Sequence, residues 1–256
     1  GYDIVFRASD ETTQLDHEIE DYDGTAGTVV AWVRIPTLSY NTDTVIYMYY
    51  GNNCISSSQE NITGVWNSNF VGVWHLSESS GTAQDSTSYG TSGSLSGTVT
   101  QGSTGNIDGA YDFYTNGLVD CGDPGDGHLD GGTGSFTVSI WVNIDVNRNQ
   151  WENILYKGGT SEYGHGYAFE VYSGQSDLSF SINDGTAQWG YSPPFASFTE
   201  DTWHHMVGVV DRANDELRMY KDGAEVGTAT NISSVGNIDS SDNLTFSAFG
   251  WFDGLL

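Results

Sequence analysis

The sequence predicts an all-β protein folded as a β-sandwich or jelly roll. Short runs in which apolar and polar residues alternate recur along the 256 residues, and they are rich in β-branched and aromatic side chains. Clusters of Gly, Ser, Asn and Asp separate the runs, and many of the 33 glycines lie where turns need positive φ. No segment shows the long, capped 3.6-residue period of a helix. Many short strands joined by turns indicate two packed sheets.

Eight runs are predicted to be strands because their side chains alternate with a period of two. In chain order they cover residues 28–35, 44–50, 136–144, 167–172, 178–182, 204–210, 216–220 and 244–249. Lys221, Asp222 and Gly223 follow the seventh run, and Asp-Gly at this place predicts a hairpin turn.

The distribution of apolar residues predicts two units. A polar segment at 54–69 follows the strand that ends at Tyr50, and apolar residues resume at 70–76. Residues 77–109 contain few large apolar side chains and are predicted to be loops with short strands. We therefore expect a small β unit at 1–65 and a sandwich at 70–256.

The charge balance excludes several classes of partner. The chain has 34 Asp and Glu against 7 Lys and Arg, a formal charge of −27. Because phosphate binding needs clustered Lys and Arg, we expect no nucleic-acid partner. The longest apolar run, at 45–50, is too short to cross a bilayer, so we expect no membrane insertion. The acidity itself fits either a solubility layer on a secreted protein or a halophilic habitat, where counterions screen self-repulsion.

The sequence offers no convincing catalytic group, so we expect no enzyme. The acids at 18–23, and Asp215 with Glu216, lack the spacing of a glycosidase pair and are predicted to be solvated surface acids. His204 and His205 are adjacent in a strand, so they point to opposite faces and are predicted to be one packed and one surface histidine. Neither a Gly-x-Ser-x-Gly nor a His-Glu-x-x-His motif is present.

Five segments, in a fixed order, carry a family resemblance. They are residues 73–78 (VWHLSE) with 85–87 (DST), 109–113 (GAYDF), 136–142 (FTVSIWV), 203–211 (WHHMVGVVD) and 217–223 (LRMYKDG). Together they make residues 70–256 resemble the laminin-G-like, concanavalin A-like jelly-roll modules of secreted proteins. The resemblance implies a jelly-roll sandwich outside the cell or on its surface. It also implies that the tryptophans of the strand motifs, Trp32, Trp74, Trp141 and Trp203, belong to the core.

The N-terminal segment carries a second resemblance. Residues 3–6 (DIVF), 17–20 (HEIE), 31–36 (AWVRIP) and 46–52 (IYMYYGN) resemble the C-terminal half of a small domain of unknown function. That domain often precedes such jelly rolls in archaeal and bacterial surface proteins. The two resemblances imply that the small unit is truncated at its N-terminus and that the jelly roll lacks its last strand. We therefore expect a fragment of a longer surface protein.

One loop resembles a calcium site. Asp85 begins the segment DSTSYG at 85–90, which is similar to a loop that often binds Ca²⁺ in these jelly rolls. The resemblance implies a structural Ca²⁺ at Asp85, while an Asx turn is an equally good use of the same carboxylate. Asp123, Asp126 and Asp130 form another acidic loop, which we interpret as solvated first and as a weak Ca²⁺ site second.

Three polar loops combine aromatic rings with amides or carboxylates, which is how proteins bind sugars. The predicted ligand-binding residues are Trp151, Asn153, Tyr163, Trp189 and Tyr191. The alternative is that these rings close the ends of the sandwich.

The sequence thus predicts a non-catalytic extracellular module that binds carbohydrate or a cell-surface glycan within a larger adhesin or polysaccharide-acting protein. The alternative is a structural or assembly module of a cell-surface layer or filament, which would self-associate and have no sugar site. Cys54 and Cys121 allow either one disulfide or two thiols.

Overall fold

A computed structural model describes residues 1–114, 116–145, 152–158, 164–171, 177–187, 190–248 and 252–256. They form two compact units. Unit 1 consists of Gly1–His75 and Asp85–Gly90, and unit 2 of Leu76–Gln84 and Thr91–Leu256. Cys54 is exposed, Cys121 is buried, and both are thiols.

Unit 1 is made of short strands and one turn of helix. Its elements are β1 (Val5–Arg7), β2 (Gln14–Leu15), β3 (His17–Asp23), β4 (Thr28–Val33), β5 (Tyr47–Tyr49) and α1 (Ile62–Val65). Strands β2, β1 and β5 form one antiparallel sheet, and β3 pairs with β4. The core of the unit is formed by Ile4, Phe6 and Leu15, with Ile19 and Ala31 packed against it.

Unit 2 contains the remaining strands. They are β6 (Ser94–Ser96), β7 (Val99–Thr104), β8 (Gly109–Phe113), β9 (Leu118–Gly122), β10 (Phe136–Ile144), β11 (Glu152–Lys157), β12 (His165–Val171), β13 (Asp177–Asp184), β14 (Ala196–Ser197), β15 (Trp203–Asp211), β16 (Glu216–Lys221), β17 (Ala224–Glu225), β18 (Thr230–Asn231), β19 (Leu244–Ala248) and β20 (Gly254–Leu255).

These strands form two antiparallel sheets. The first has the order β17-β16-β15-β10-β20-β8-β7, with β18 also paired to β16, and the second has the order β14-β13-β12-β11-β19-β9-β6. The sheets pack face to face, since the Phe136 ring of β10 lies 5.0 Å from the Tyr167 ring of β12. Gly208 marks the close approach, because a Cβ there would lie 2.3 Å from the Phe180 ring. The predicted all-β jelly-roll sandwich is confirmed.

Most predicted strands are confirmed. The run at 136–144 matches β10 at both ends, and 204–210 and 216–220 correspond to β15 and β16. The predicted hairpin is also confirmed, since Lys221 pairs with Ala224 and the two turn residues have positive φ, 50° for Asp222 and 81° for Gly223.

Two expectations are wrong. The run at 44–50 contributes only Tyr47–Tyr49 to a strand. The tryptophans of the strand motifs are partly exposed and not buried in the core, because in β10 and β15 they point away from the opposite sheet.

Candidate functional site

Trp151, Tyr163 and Trp189 lie outside the described residues. The expected loop placement of Asn153 is wrong, because it lies within β11 and is only 6% exposed. Tyr191 is partly exposed, and its backbone bridges to Ile182 through hydrogen bonds of 3.0 and 2.8 Å. The described residues therefore do not test whether these five residues form one site, and their contact with a ligand stays a prediction.

Asp85 organises its own loop. Its Oδ1 accepts hydrogen bonds from the backbone N–H of Val73 at 3.0 Å and of Thr87 at 2.9 Å, and its Oδ2 accepts one from the Thr87 hydroxyl at 2.9 Å. This is the Asx-turn use of the carboxylate. Among the described residues, no group of three or more His, Cys, Asp or Glu side chains is arranged to hold a metal ion. The calcium ion expected at Asp85 stays a prediction.

We expect Asp85→Ala to lower the melting temperature in EDTA, because the loss of these charge-assisted hydrogen bonds costs about 2 kcal/mol. Asp43→Ala, at an exposed loop position, is the matched control and should leave it unchanged. Calcium binding additionally requires that CaCl₂ raise the melting temperature of the parent and not that of Asp85→Ala. A parent protein indifferent to CaCl₂ would exclude the calcium site.

The outward face of the first sheet of unit 2 carries aromatic and polar side chains together. Trp141 lies opposite His205 across β10 and β15, and their ring centroids are 5.0 Å apart. The His205 Nε2 is 2.8 Å from the hydroxyl of Ser139. Further partly exposed residues of the same face are Asn143, Trp203 and Tyr220. We call Trp141, Trp203, Tyr220, Ser139, Asn143 and His205 the sheet-face site.

His204 and His205 follow the predicted division between faces but are both hydrogen bonded. The His204 Nδ1 lies 2.9 Å from the Asp222 carboxylate. Burial raises the pKa of Asp222, but hydrogen bonds from the backbone N–H of His205 and the side chain of His204 outweigh it. The pKa of Asp222 therefore lies below its usual value. The Ser139 hydroxyl that lies within hydrogen-bond distance of His205 stands beside it on the outward face of the sheet.

The acidic loop at 120–130 is held by a buried lysine. The Lys157 side chain is 1% exposed, and its ammonium lies 2.7 Å from Asp123 and 3.1 Å from Asp130. It also donates to the carbonyl oxygens of Ser240 at 2.8 Å and Asp242 at 2.7 Å. The loop is therefore not simply solvated, because two of its carboxylates neutralise a buried cation.

A buried carboxylate network in unit 1 was missed by the sequence reasoning. Glu18, expected to be a solvated acid, is only 7% exposed. It accepts hydrogen bonds from Trp66 Nε1 at 2.7 Å and from the Ser86 hydroxyl at 2.6 Å, and its Oε2 lies 3.2 Å from His75 Nε2. Trp32 stands opposite Glu18 across β3 and β4. We call Glu18, Glu20, Trp32, Trp66 and His75 the carboxylate–tryptophan cluster.

The second carboxylate of the cluster repeats this arrangement. The side chain of Glu20 is 3% exposed, it accepts the indole N–H of Trp32, and it lies 3.6 Å from His75 Nδ1. The His75 ring stacks on Trp32 with centroids 5.5 Å apart at 25°. Both ring nitrogens of His75 therefore lie within 4 Å of a carboxylate oxygen.

Burial raises the pKa of Glu18, but hydrogen bonds from His75, Ser86 and Trp66 outweigh it, and the pKa lies below its ordinary value. The carboxylate is thus ionised at neutral pH. The available sequence signal was weak: two acids at alternate positions of a strand, beside a tryptophan-bearing strand.

The architecture defines an antiparallel jelly-roll sandwich that follows a small β unit. Residues 113–256, more than half of the chain, match the concanavalin A-like lectin/glucanases superfamily, and the chain belongs to this superfamily. Residues 1–91 match a domain of unknown function, DUF2341. Both suspected resemblances are confirmed. None of the curated proteins compared with the chain matches it.

Several solved structures are similar in fold. Domain 4 of the extracellular arabinanase AbnA of Geobacillus stearothermophilus, in complex with arabinotriose, is 20% identical over 67% of this chain and 82% of its own, with a TM-score of 0.49. The CBM40 of the Ruminococcus gnavus IT-sialidase, bound to α2,3-sialyllactose, is 11% identical over 57% and 85%, with a TM-score of 0.43. An HCR/D mutant is 10% identical over 72% and 47%, with a TM-score of 0.53. At these identities the likeness concerns the fold alone.

No helix within the described residues has the length and apolar character needed to cross a membrane.

Proposed function

We propose that this chain is a non-catalytic carbohydrate-binding module that acts outside the cell, within a larger adhesin or polysaccharide-acting protein. The observation that carries the proposal is the sheet-face site, where partly exposed Trp141, Trp203 and Tyr220 lie among the polar groups of Ser139, Asn143 and His205. Membership of a superfamily of lectins and glucanases supports a carbohydrate ligand.

The chemistry of the sheet face suits a sugar. Aromatic faces carry negative potential and pack against the C–H faces of sugar rings, while hydroxyl, amide and imidazole groups exchange hydrogen bonds with ring hydroxyls. The rings stand on strands β10, β15 and β16, and the cross-strand ladder fixes their spacing. A rigid platform lowers the entropic cost of binding. The bound sugar chain would lie across the strands.

The test is affinity electrophoresis and calorimetry of the full chain with β-glucan, xylan, arabinan, mannan and sialyllactose. We expect at least one of them to bind, and Trp141→Ala to weaken that binding about five- to tenfold, because losing one stacking face costs about 1–1.5 kcal/mol. Tyr40→Ala removes an aromatic side chain that is 99% exposed in unit 1 and should leave binding unchanged.

Two results would overturn the proposal. Self-association with no binding to any of these glycans would favour the assembly module, and release of reducing ends from any polysaccharide would favour an enzyme. The melting temperature of Trp141→Ala is measured alongside, so that lost binding is not confused with unfolding.

A further inference from the structure

Unit 1 contains a cleft that the sheet-face site does not use. Its volume is about 330 Å³, and its walls include Trp32, Trp66, Phe70, Arg34 and Asn67. That size lies at the small end of the range for ligand pockets, which suits one or two sugar rings and not a large cofactor.

We propose that this cleft is a second carbohydrate site, which takes a neutral sugar unit through stacking on its tryptophans. All residues of the proposed site belong to unit 1, whereas the proposed function rests on the sheet-face site of unit 2. An experiment can therefore disprove sugar binding at one site and leave the other site standing.

The aromatic walls are fixed before any ligand arrives. The indole N–H of Trp66 donates to buried Glu18, and that of Trp32 donates to Glu20. The two rings are themselves 5.4 Å apart at 56°, and Phe70 meets Trp66 edge to face at 5.1 Å. Rings held in this way lose little freedom on binding, which keeps the entropic cost of association low.

The direction of the indole N–H groups decides between a sugar and a peptide. An extended peptide in an aromatic-lined groove presents backbone carbonyls, which a free indole N–H or phenol O–H of the groove would bind. Here both indole donors are engaged by carboxylates behind the rings, so the tryptophans offer only carbon faces and edges to a ligand. Hydrogen bonding to a carboxylate also increases electron density on the indole, and this strengthens its attraction for the C–H groups of a sugar ring.

The polar rim supplies hydrogen-bond donors. Arg34, with a side chain 42% exposed, uses Nη1 for the carbonyl of Gly64 at 3.3 Å and lies 3.7 Å from Asp16, which leaves other guanidinium N–H groups to reach ligand hydroxyls. The carbonyl of the Asn67 side chain accepts the backbone N–H of Asn69 at 2.9 Å. Its amide nitrogen is therefore the group of that side chain that can donate to a ligand.

The same charges argue against ionic ligands. A guanidinium in the wall of the cleft opposes a quaternary ammonium, which is the other ligand that aromatic cages accept. A chain of net charge −27 opposes an acidic sugar at long range. A neutral sugar meets neither objection.

The cost of the cluster behind the cleft supports a binding role. Burying two carboxylates and an imidazole carries a desolvation cost, and a packed apolar wall of the same volume would often be at least as stable. Proteins retain buried charges that a stable apolar wall could replace mainly at functional sites.

The test titrates the full chain with methyl β-glucoside, methyl α-mannoside, methyl α-arabinofuranoside, cellotetraose, xylotetraose and arabinotetraose, using saturation-transfer NMR and tryptophan fluorescence. The variants are Phe70→Ala and Arg34→Gln, chosen because Phe70 is 44% exposed and neither residue holds the buried carboxylates. Tyr40→Ala is the exposed aromatic control, and Trp141→Ala reports on the sheet-face site.

We expect at least one sugar to bind with a change in tryptophan emission, and Phe70→Ala and Arg34→Gln each to weaken it fivefold or more, while Trp141→Ala leaves this binding intact. The inference is overturned if no sugar binds, or if every binding event is lost in Trp141→Ala and kept in Phe70→Ala. The latter result would leave the proposed function of unit 2 standing.

Discussion

Replacing Lys157 with methionine is expected to lower the unfolding free energy of unit 2 by about 3 kcal/mol. The ammonium of Lys157 touches four oxygens, those of the Asp123 and Asp130 side chains and the carbonyls of Ser240 and Asp242. Methionine fills the volume but leaves two carboxylates facing each other without a cation. We place the loss at the lower end of the usual 3–5 kcal/mol because these side chains are 31% and 19% exposed, so water screens them in part.

The measurement is the melting temperature by calorimetry, and a loss of this size lowers it by roughly 6–12 °C in a domain of this length. The other lysine provides the control. Lys221 lies at the hairpin and donates one hydrogen bond to the carbonyl of Ser197 at 2.6 Å, so Lys221→Met should cost less than about 1 kcal/mol. An equal drop in melting temperature for the two variants would show that the contacts of Lys157 with Asp123 and Asp130 do not stabilise the loop at 120–130.

Replacing Glu18 with alanine is expected to destabilise unit 1 by about 3–5 kcal/mol. The change leaves the indole N–H of Trp66 and the hydroxyl of Ser86 without their acceptor, and it removes one of the two carboxylates that face His75. Hydrogen exchange of the amides in β3 and β4 reports on this unit in the full chain. Asp21→Ala, at a partly exposed position of the same strand, should change the opening free energy derived from exchange by less than about 0.5 kcal/mol.

The same carboxylate makes unit 1 sensitive to acid. Because the pKa of Glu18 in the folded protein is below its ordinary value of 4.5, its contribution to stability is complete above that pH. The contribution is lost as the pH falls below 4.5 and through the lowered pKa. The protection factors of the β3 amides, which are corrected for the intrinsic pH dependence of exchange, should therefore fall below pH 4.5 in the parent, and Glu18→Ala should show less of this fall. An identical pH profile for parent and variant would contradict the assignment.

The sandwich could be predicted because a period of two is a local property of the chain. β10 illustrates this: its Phe136 faces the opposite sheet and its Trp141 faces outward, as alternation requires. The hairpin at Asp222 and Gly223 was equally local, since Asp-Gly tolerates the positive φ of both turn positions.

The candidate sites were predicted less well. The family motif led to the expectation that Trp141 and Trp203 are core residues, yet both are partly exposed on the sheet face. Alternation alone does not say which face of a strand is covered. Asn153 was expected on a loop and lies in a strand, because residues flanking a polar segment are assigned with an uncertainty of a few positions.

The sequence by itself determined the fold class, most of the eight predicted strands, the resemblance to the concanavalin A-like superfamily and the strongly acidic charge balance. The tertiary structure decided which charges are buried. Glu18 meets Ser86 across 68 residues of sequence, and Lys157 meets Asp242 across 85. Whether a carboxylate faces water or an indole N–H depends on such distant partners, since desolvation and hydrogen bonding are set by the groups that folding brings within about 3 Å and not by neighbours in sequence.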